Sequence, residues 1–431
     1  MTAALPAFVA LLLTAESPSP LTEFLESAKA HNHTIGISRA QLEQQDAAVR
    51  QALASLTPTH QLTGGYTHNQ YSGVLDLPSS PSGGSARSIT IQPLNSWTWT
   101  AGVSVPILSP QNFYRYQGSK YGREAAAQAE RASEAEVLLS TARAYYQVVG
   151  AQGVADAART AVRTAEDNLQ VTQTRSKEGT ETRLAVDRAL TDLARANQTL
   201  ASSRQTLALA VRNLETLSGR RVDSNLPTLG EPESVTGTED DFVRDAEARR
   251  PELDQLRATT LEQETSVKEA WAGLAPSVTG NFQEHYTNAP GFVGHDIYWT
   301  AGVNLTWNLD PIGTPANVRH ARAAAEEQRE RLLQQQDAVR DDVHTSWLSV
   351  EATRAQFEEA VAEVKSTSEA LSITGVQYRE GTATSLEVSQ AQRDAFNAQA
   401  TLAQTRADLA AAVLSLRKAA GEPLLTDRGQ P

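Results

Sequence analysis

The sequence contains itself twice. Trp99–Val103 reads WTAGV, and so does Trp299–Val303, 200 positions further on. Glu178-Gly179-Thr180 returns as Glu380-Gly381-Thr382, 202 positions on, and from there the register holds without a gap. Leu184 matches Leu386, Val186 matches Val388, Arg204 matches Arg406, Leu207 matches Leu409, Val211 matches Val413 and Gly219 matches Gly421. Upstream, Val49, Ala52, Leu56 and Pro58 match Val267, Ala270, Leu274 and Pro276 at a spacing of 218. Self-similarity kept in order along a chain means two copies of one structural unit, here of roughly 200 residues each.

Each copy carries the same series of signals. A helix, about 21–56 in the first copy and 239–273 in the second, runs up to a proline, before which the α conformation is disfavoured. Two strand segments follow, about 58–73 and 94–108, then 276–288 and 296–309, each pair separated by a polar or glycine-rich loop. A helix of about sixty residues, a glycine turn at Gly179 or Gly381 and a last helix of about forty complete the copy. At 1.5 Å per residue a sixty-residue helix is on the order of 90 Å long, too long for a globular core. In the second long helix Val343, Trp347, Val350, Phe357, Val361, Val364 and Leu371 follow a 3–4 spacing, with Arg354 and Ser368 at two seam positions. That is the narrow stripe of a coiled coil. The organisation read from these signals is an export segment 1–15, a first repeat 16–219, a Pro/Gly/Ser/Thr-rich linker 220–238, a second repeat 239–422 and a tail 423–431.

The strands constrain the environment. In 97–105, Trp97, Trp99, Ala101, Val103 and Val105 fall on one face, with Thr98, Thr100, Gly102 and Ser104 on the other. In 298–309, Trp299, Ala301, Val303, Leu305, Trp307 and Leu309 alternate with Tyr298, Thr300, Gly302, Asn304, Thr306 and Asn308. With Trp97, Trp99, Trp299 and Trp307 towards the ends of the apolar faces, this is the pattern of a membrane-barrel strand: lipid on one side, water on the other, aromatic residues at the interfaces. The segments Thr59–Tyr71 and Ser277–Tyr286 alternate less well, though Leu62, Gly64 and Tyr66 share a face, as do Val278, Gly280 and Phe282. The loops Leu77–Arg87 and Asn288–His295 are polar and suit an exposed tip. The competing reading is a pair of soluble hairpins, for which four strands without other β-structure make a poor core. Four strands cannot close a membrane barrel, whose smallest forms use about eight, and an open edge inside lipid is not tolerated. Several chains must share one barrel, and three would supply twelve strands.

The totals exclude more than they identify. The chain has 431 residues and a formal charge of -13, which disfavours nucleic acid as a partner. The aromatic content of 6% and the mean hydropathy of -0.40 argue against a chain that crosses a membrane with helices. There is no cysteine, hence no disulfide, thiolate metal site or cysteine nucleophile. No phosphate-binding loop, dinucleotide fingerprint, HExxH or GxSxG is present, so no catalytic residue, cofactor or metal is expected and any energy source must come from a partner. His31 and His33 lack a third ligand, and Glu284-His285 in its strand is expected to face water. The apolar run Leu5–Leu13, followed by small residues and prolines, reads as a secretory signal cleaved near Ala15, without the usual preceding Lys or Arg.

The duplicated helix–Pro–strand unit, RRPEL at Arg249–Leu253 and YREGTATSLEVSQAQ at Tyr378–Gln392 together resemble the TolC-like outer-membrane efflux family, over about Leu21 to Glu422. In the first copy HNHTI (His31–Ile35) stands where RRPEL aligns. The resemblance implies an α+β membrane protein, a homotrimer with a twelve-stranded β-barrel, four strands per chain, continued by a long α-helical coiled-coil barrel. It implies an exit duct of a tripartite efflux or type I secretion system, set in outer-membrane lipid with a large periplasmic portion. Its partners would be a periplasmic adaptor and an inner-membrane transporter. A periplasmic coiled-coil adaptor or structural protein is the alternative. Without cysteine, the expectation is a member with no lipid on an N-terminal cysteine.

The resemblance also places Gly179 and Gly381 at the periplasmic tip, where acidic side chains line a constriction. Glu387 falls at the first acidic position, whereas Gln390 holds the second. Tyr378 matches the tip tyrosine, but its acidic partner in the first copy falls at Ala185 and the basic residue after the turn at Ala383. Asp187, Arg183 and Glu181 lie in the same region. Three copies of Glu387 around one axis would favour cations and raise one another's pKa by repulsion.

Overall fold

The structure is a computed structural model that describes residues 20–77, 87–222, 226–227, 235–290 and 293–425. The expected export segment 1–15 lies outside the described residues, as do most of the 77–87 loop and parts of the linker and tail. In chain order the elements are α1 (Pro20–His31), α2 (His33–Ala54), β1 (Thr59–His68), β2 (Gly73–Leu77), β3 (Arg87–Gln92), β4 (Asn95–Leu108), α3 (Pro110–Lys177) and α4 (Arg183–Ser218). The second copy follows with α5 (Glu239–Arg249), α6 (Pro251–Ala272), β5 (Ser277–Thr287), β6 (Ile297–Thr306), α7 (Gly313–Glu380) and α8 (Ser385–Ala419).

The duplication holds element by element, with two departures. The helix that opens each copy is broken once. In the second copy Pro251 starts α6, a position it tolerates because its missing N–H would have no partner there. In the first copy the break falls at Asn32, whose Oδ1 accepts from the Thr34 N–H at 2.9 Å and whose Nδ2 donates to the Leu217 carbonyl at 3.1 Å. That local alternative to helix hydrogen bonding is characteristic of Asn. The second departure is an extra hairpin, β2–β3, where only a loop was expected between 73 and 94. The long helices α3 and α7 each run 68 residues, about 100 Å of helix, with proline confined to the first turn.

The chain forms two compact units. The first comprises residues up to 38, 131–251 and 336 onwards, and its described elements are helical. Phe24, Tyr145, Val148, Leu214 and Leu226 form one of its cores. Of the expected coiled-coil stripe, Val343 and Val350 are buried while Val361 stays 45% exposed. The Arg250 side chain of the RRPEL stretch is buried and donates to Asp342 at 2.6 Å. An arginine buried on a helix end needs such a partner, because an unpaired buried charge costs several kcal/mol.

The second unit, residues 39–130 and 252–335, holds an antiparallel sheet in the order β1–β4–β5–β6. The central pairing joins the copies: Thr98 lies opposite Thr287 and Ser104 opposite Asn281. β1 and β6 are left as edges. Among the described residues no helix is long and apolar enough to cross a membrane.

Candidate functional site

Two places carry chemistry: the faces of the sheet, and the glycine turns. Strand register lines up rows across the four strands. Leu62, Ala101, Glu284 and Trp299 form one row, and Gly64, Trp99, Tyr286 and Ile297 the next. The Trp99 ring lies over Gly64, where a Cβ would stand 2.7 Å from it. On this apolar face Phe282 stacks on Trp299 with centroids 6.0 Å apart, and Trp97 meets Tyr286 at 4.8 Å. Trp307 lies just beyond β6 at the opposite end, its Nε1 donating to the Leu274 carbonyl at 3.0 Å. Trp299 is 67% exposed and Val303 68%, so nothing among the described residues covers this surface. An apolar face of this extent is left bare only where another molecule or lipid covers it.

The opposite face is polar throughout. Thr63, Thr100, His285 and Tyr298 form one row, and Thr59, Ser104, Asn281 and Gly302 another. Among the described strand residues it carries no Asp, Glu, Lys or Arg. His285 has the Thr100 hydroxyl at 3.2 Å on Nδ1 and the Thr300 hydroxyl at 3.4 Å on Nε2, and stacks on Tyr298. Both residues expected to face water lie in the sheet, Glu284 exposed and His285 half-buried, on opposite faces. His285 is on the polar face, whereas the next residue, Glu284, necessarily points to the apolar one, one row from the aromatic Trp99 and Tyr286. Thr59, Ser104, Thr279, Thr306 and Asn308 continue the polar face into a cavity of about 370 Å³.

The turns stand in the first unit. After α7, Gly381 takes φ 83°, and Thr382 returns both its N–H (2.9 Å) and its hydroxyl (3.1 Å) to the Gln377 carbonyl. Thr384 then caps α8. The Glu387 carboxylate accepts from the Thr384 N–H at 2.6 Å and from its hydroxyl at 2.9 Å, while the Glu387 N–H donates back to that hydroxyl at 3.3 Å. This reciprocal capping box holds the Glu387 carboxyl below the usual carboxylate range, chiefly through the Thr384 N–H. Within the chain Glu387 is a helix cap, and its pKa moves opposite to the rise that three clustered carboxylates would cause. The signal was in the sequence, as Thr384-x-x-Glu387, the spacing of a capping box. Gln390, Asp187 and Arg183 are exposed near the starts of α8 and α4.

Tyr378 is buried, and its partners are not the aligned Ala185. The Thr172 hydroxyl donates to the Asn168 carbonyl at 2.8 Å, so the Tyr378 hydroxyl, 2.9 Å away, is the donor to Thr172. Arg175 places its guanidinium 5.0 Å from the Tyr378 ring centroid and donates to the Tyr378 carbonyl. On the neighbouring pair of helices, Ser389 donates to Asp192, with Arg195 and Arg393 each 3.8 Å from that carboxylate. Thr172, Arg175 and Asp192 were not singled out by the sequence, since nothing local marks a partner some 200 residues away. Residues Gly179 to Ala185 repeat the turn with fewer polar links: Gly179 has φ 77°, Thr180 returns to the Arg175 carbonyl, and the Thr182 hydroxyl accepts from the Ala185 N–H at 3.2 Å.

Residues 24–220 and 242–422 match the family described as outer membrane efflux protein. The chain is similar to the pyoverdine export outer membrane protein OpmQ of Pseudomonas aeruginosa, 26% identical over 315 residues, 70% of this chain and 65% of that protein's own length. Its fold is that of the CmeC outer membrane channel of Campylobacter jejuni (TM-score 0.76, 15% identity, covering 98% of this chain and 94% of the other). The MtrE outer membrane channel of Neisseria gonorrhoeae matches equally well (TM-score 0.76, 18% identity, 93% and 89%). The chain belongs to the outer membrane efflux protein family.

Proposed function

We propose that three copies of this chain close a twelve-stranded barrel in the outer membrane and a helical tunnel in the periplasm, forming a passive exit duct. The observation that carries this is the four-stranded sheet. Among the described residues its apolar, tryptophan-bearing face is uncovered and its edges β1 and β6 are open. In lipid such edges must pair, and β6 of one chain against β1 of the next closes the ring. The polar face then lines the lumen. Trp97, Trp99 and Trp299 sit at the outer interface and Trp307 at the periplasmic one.

The turns form the tip, where an adaptor and an inner-membrane transporter engage and open the duct. Glu387, Gln390, Asp187 and Arg183 line the constriction, and Tyr378, clamped by Thr172 and Arg175, braces it. The pyoverdine export named for OpmQ makes pyoverdine the first cargo to test. Recovery of the protein only from detergent-extracted outer membrane, as a trimer, supports the duct; a soluble periplasmic monomer refutes it. In planar bilayers Glu387→Ala is expected to lower cation preference, and unchanged selectivity would remove Glu387 from the constriction.

A further inference from the structure

Among the described residues the β2–β3 hairpin pairs with no other strand. Leu75 and Leu77 share a face with Ile89, opposite Leu75, and with position 87, opposite Leu77, and Ile91 continues the alternation; Val74, Asp76, Ser88 and Thr90 lie on the other face. Leu75 is 37% exposed, Leu77 40% and Ile91 45%. An isolated two-stranded hairpin is marginal in water and needs a surface to pack on. Its neck is fixed: the Asn69 N–H donates to the Leu94 carbonyl and its Nδ2 to the Pro93 carbonyl, both at 2.8 Å. The hairpin therefore extends the β1–β4 ladder.

The strand order limits what can cover it. On the β5 side stands the chain's own β5–β6 loop, held to β4 by Asn288, which accepts from the Trp97 N–H at 2.8 Å and donates to the Asn95 carbonyl at 3.0 Å. With the described residues of that loop in place, Leu75, Leu77 and Ile91 remain exposed. On the other side lies the free edge of β1, where the trimer reading, on which this inference rests, puts β6 of the next chain. That neighbour brings its own β5–β6 loop, in which Val293 is 53% exposed.

We infer that the Leu75 face of each β2–β3 hairpin packs on Val293 of the neighbouring copy, clasping the subunit seam at the loop end of the barrel. The contact is head-to-tail, so three of them close a ring. The chain has no cysteine, so introduced pairs report without background. In outer-membrane preparations, Leu75→Cys with Val293→Cys and a short bismaleimide is expected to yield covalent trimers that neither single variant gives. Leu75→Asp is expected to lower the temperature at which detergent-solubilised trimers dissociate, while Val74→Asp, on the other face, leaves it unchanged. Intact trimers whose cysteines stay unlinked and label freely with a maleimide polymer would overturn the clasp. So would quenching of a fluorophore at position 75 by brominated lipid, which would make lipid the occupant. Absence of trimers before any crosslinking would instead remove the trimer reading itself.

Discussion

The two copies build the same braces from different residues. Phe24 meets Tyr145 with centroids 5.9 Å apart in the first copy; at the matching positions of the second, Phe242 meets Trp347 at 5.7 Å. The glycine turns keep an identical backbone, with Thr180 and Thr382 each closing onto the carbonyl five residues back. Their flanks differ. Where the second copy has Tyr378 and Glu387, the first has Ser176 and Ala185. The first turn thus rests on one capping hydroxyl, whereas the second has a full capping box and a buried tyrosine clamped from α3. Duplication supplies the geometry twice, and one copy then carries most of the polar links at the tip.

Removing the buried ring breaks this asymmetry most severely. Tyr378→Ala should cost about 3–5 kcal/mol, the usual range for emptying a buried aromatic site. Ser176→Ala at the matching place should stay within about 0.5 kcal/mol. Thermal unfolding in detergent reads both, and equal effects would dissolve the comparison. Tyr378→Phe keeps the ring and should cost about 1 kcal/mol for the lost hydroxyl bond.

Alkaline pH separates the aromatic braces. Burial pushes the Tyr145 phenol up to about 12, from an ordinary value near 10. The fold favours the protonated form, so its contribution is complete below about pH 10 and is lost as pH rises towards 12, on the order of 2 kcal/mol per chain. Trp347 has no such proton. Tyr145→Phe should flatten the melting temperature between pH 10 and 12, and a persistent slope would assign the loss to other groups.

The smallest expected effect is at acid pH. The Glu387 carboxyl is held below the usual range, so its capping contribution is present above that range and disappears as pH falls through the depressed value. Hydrogen exchange in the first turn of α8 should then accelerate, while the first turn of α4, with Ala185 in the corresponding place, should not respond. Equal acceleration in both would show that Glu387 is not the cause.

Much of this was legible because the signals are local or repeated. Trp99 and Trp299 announce their faces through a period of two, Pro251 marks its own helix start, and Thr384-x-x-Glu387 spells a cap within four residues. The β2–β3 hairpin was not foreseen: its strands, GVLDL and RSITIQ, are short and flank a run of serine, glycine and proline that reads as loop. Arg175 and Thr172 could not be foreseen, because Tyr378 selects them by distance in space.

The sequence by itself determined the duplication, the order of the long helices and the four sheet strands, and the two-faced strands. Each is written in residue identities at fixed spacings, which the 2.0 and 3.6 periodicities translate directly into faces. Only the tertiary structure decided that β4 pairs with β5 across the copies, that Tyr378 answers to Thr172 and Arg175, and that Asp192 answers to Ser389. Those contacts join positions about 170 to 210 residues apart. No periodicity reaches that far, and which side chains meet is set by packing the long helices and closing the sheet.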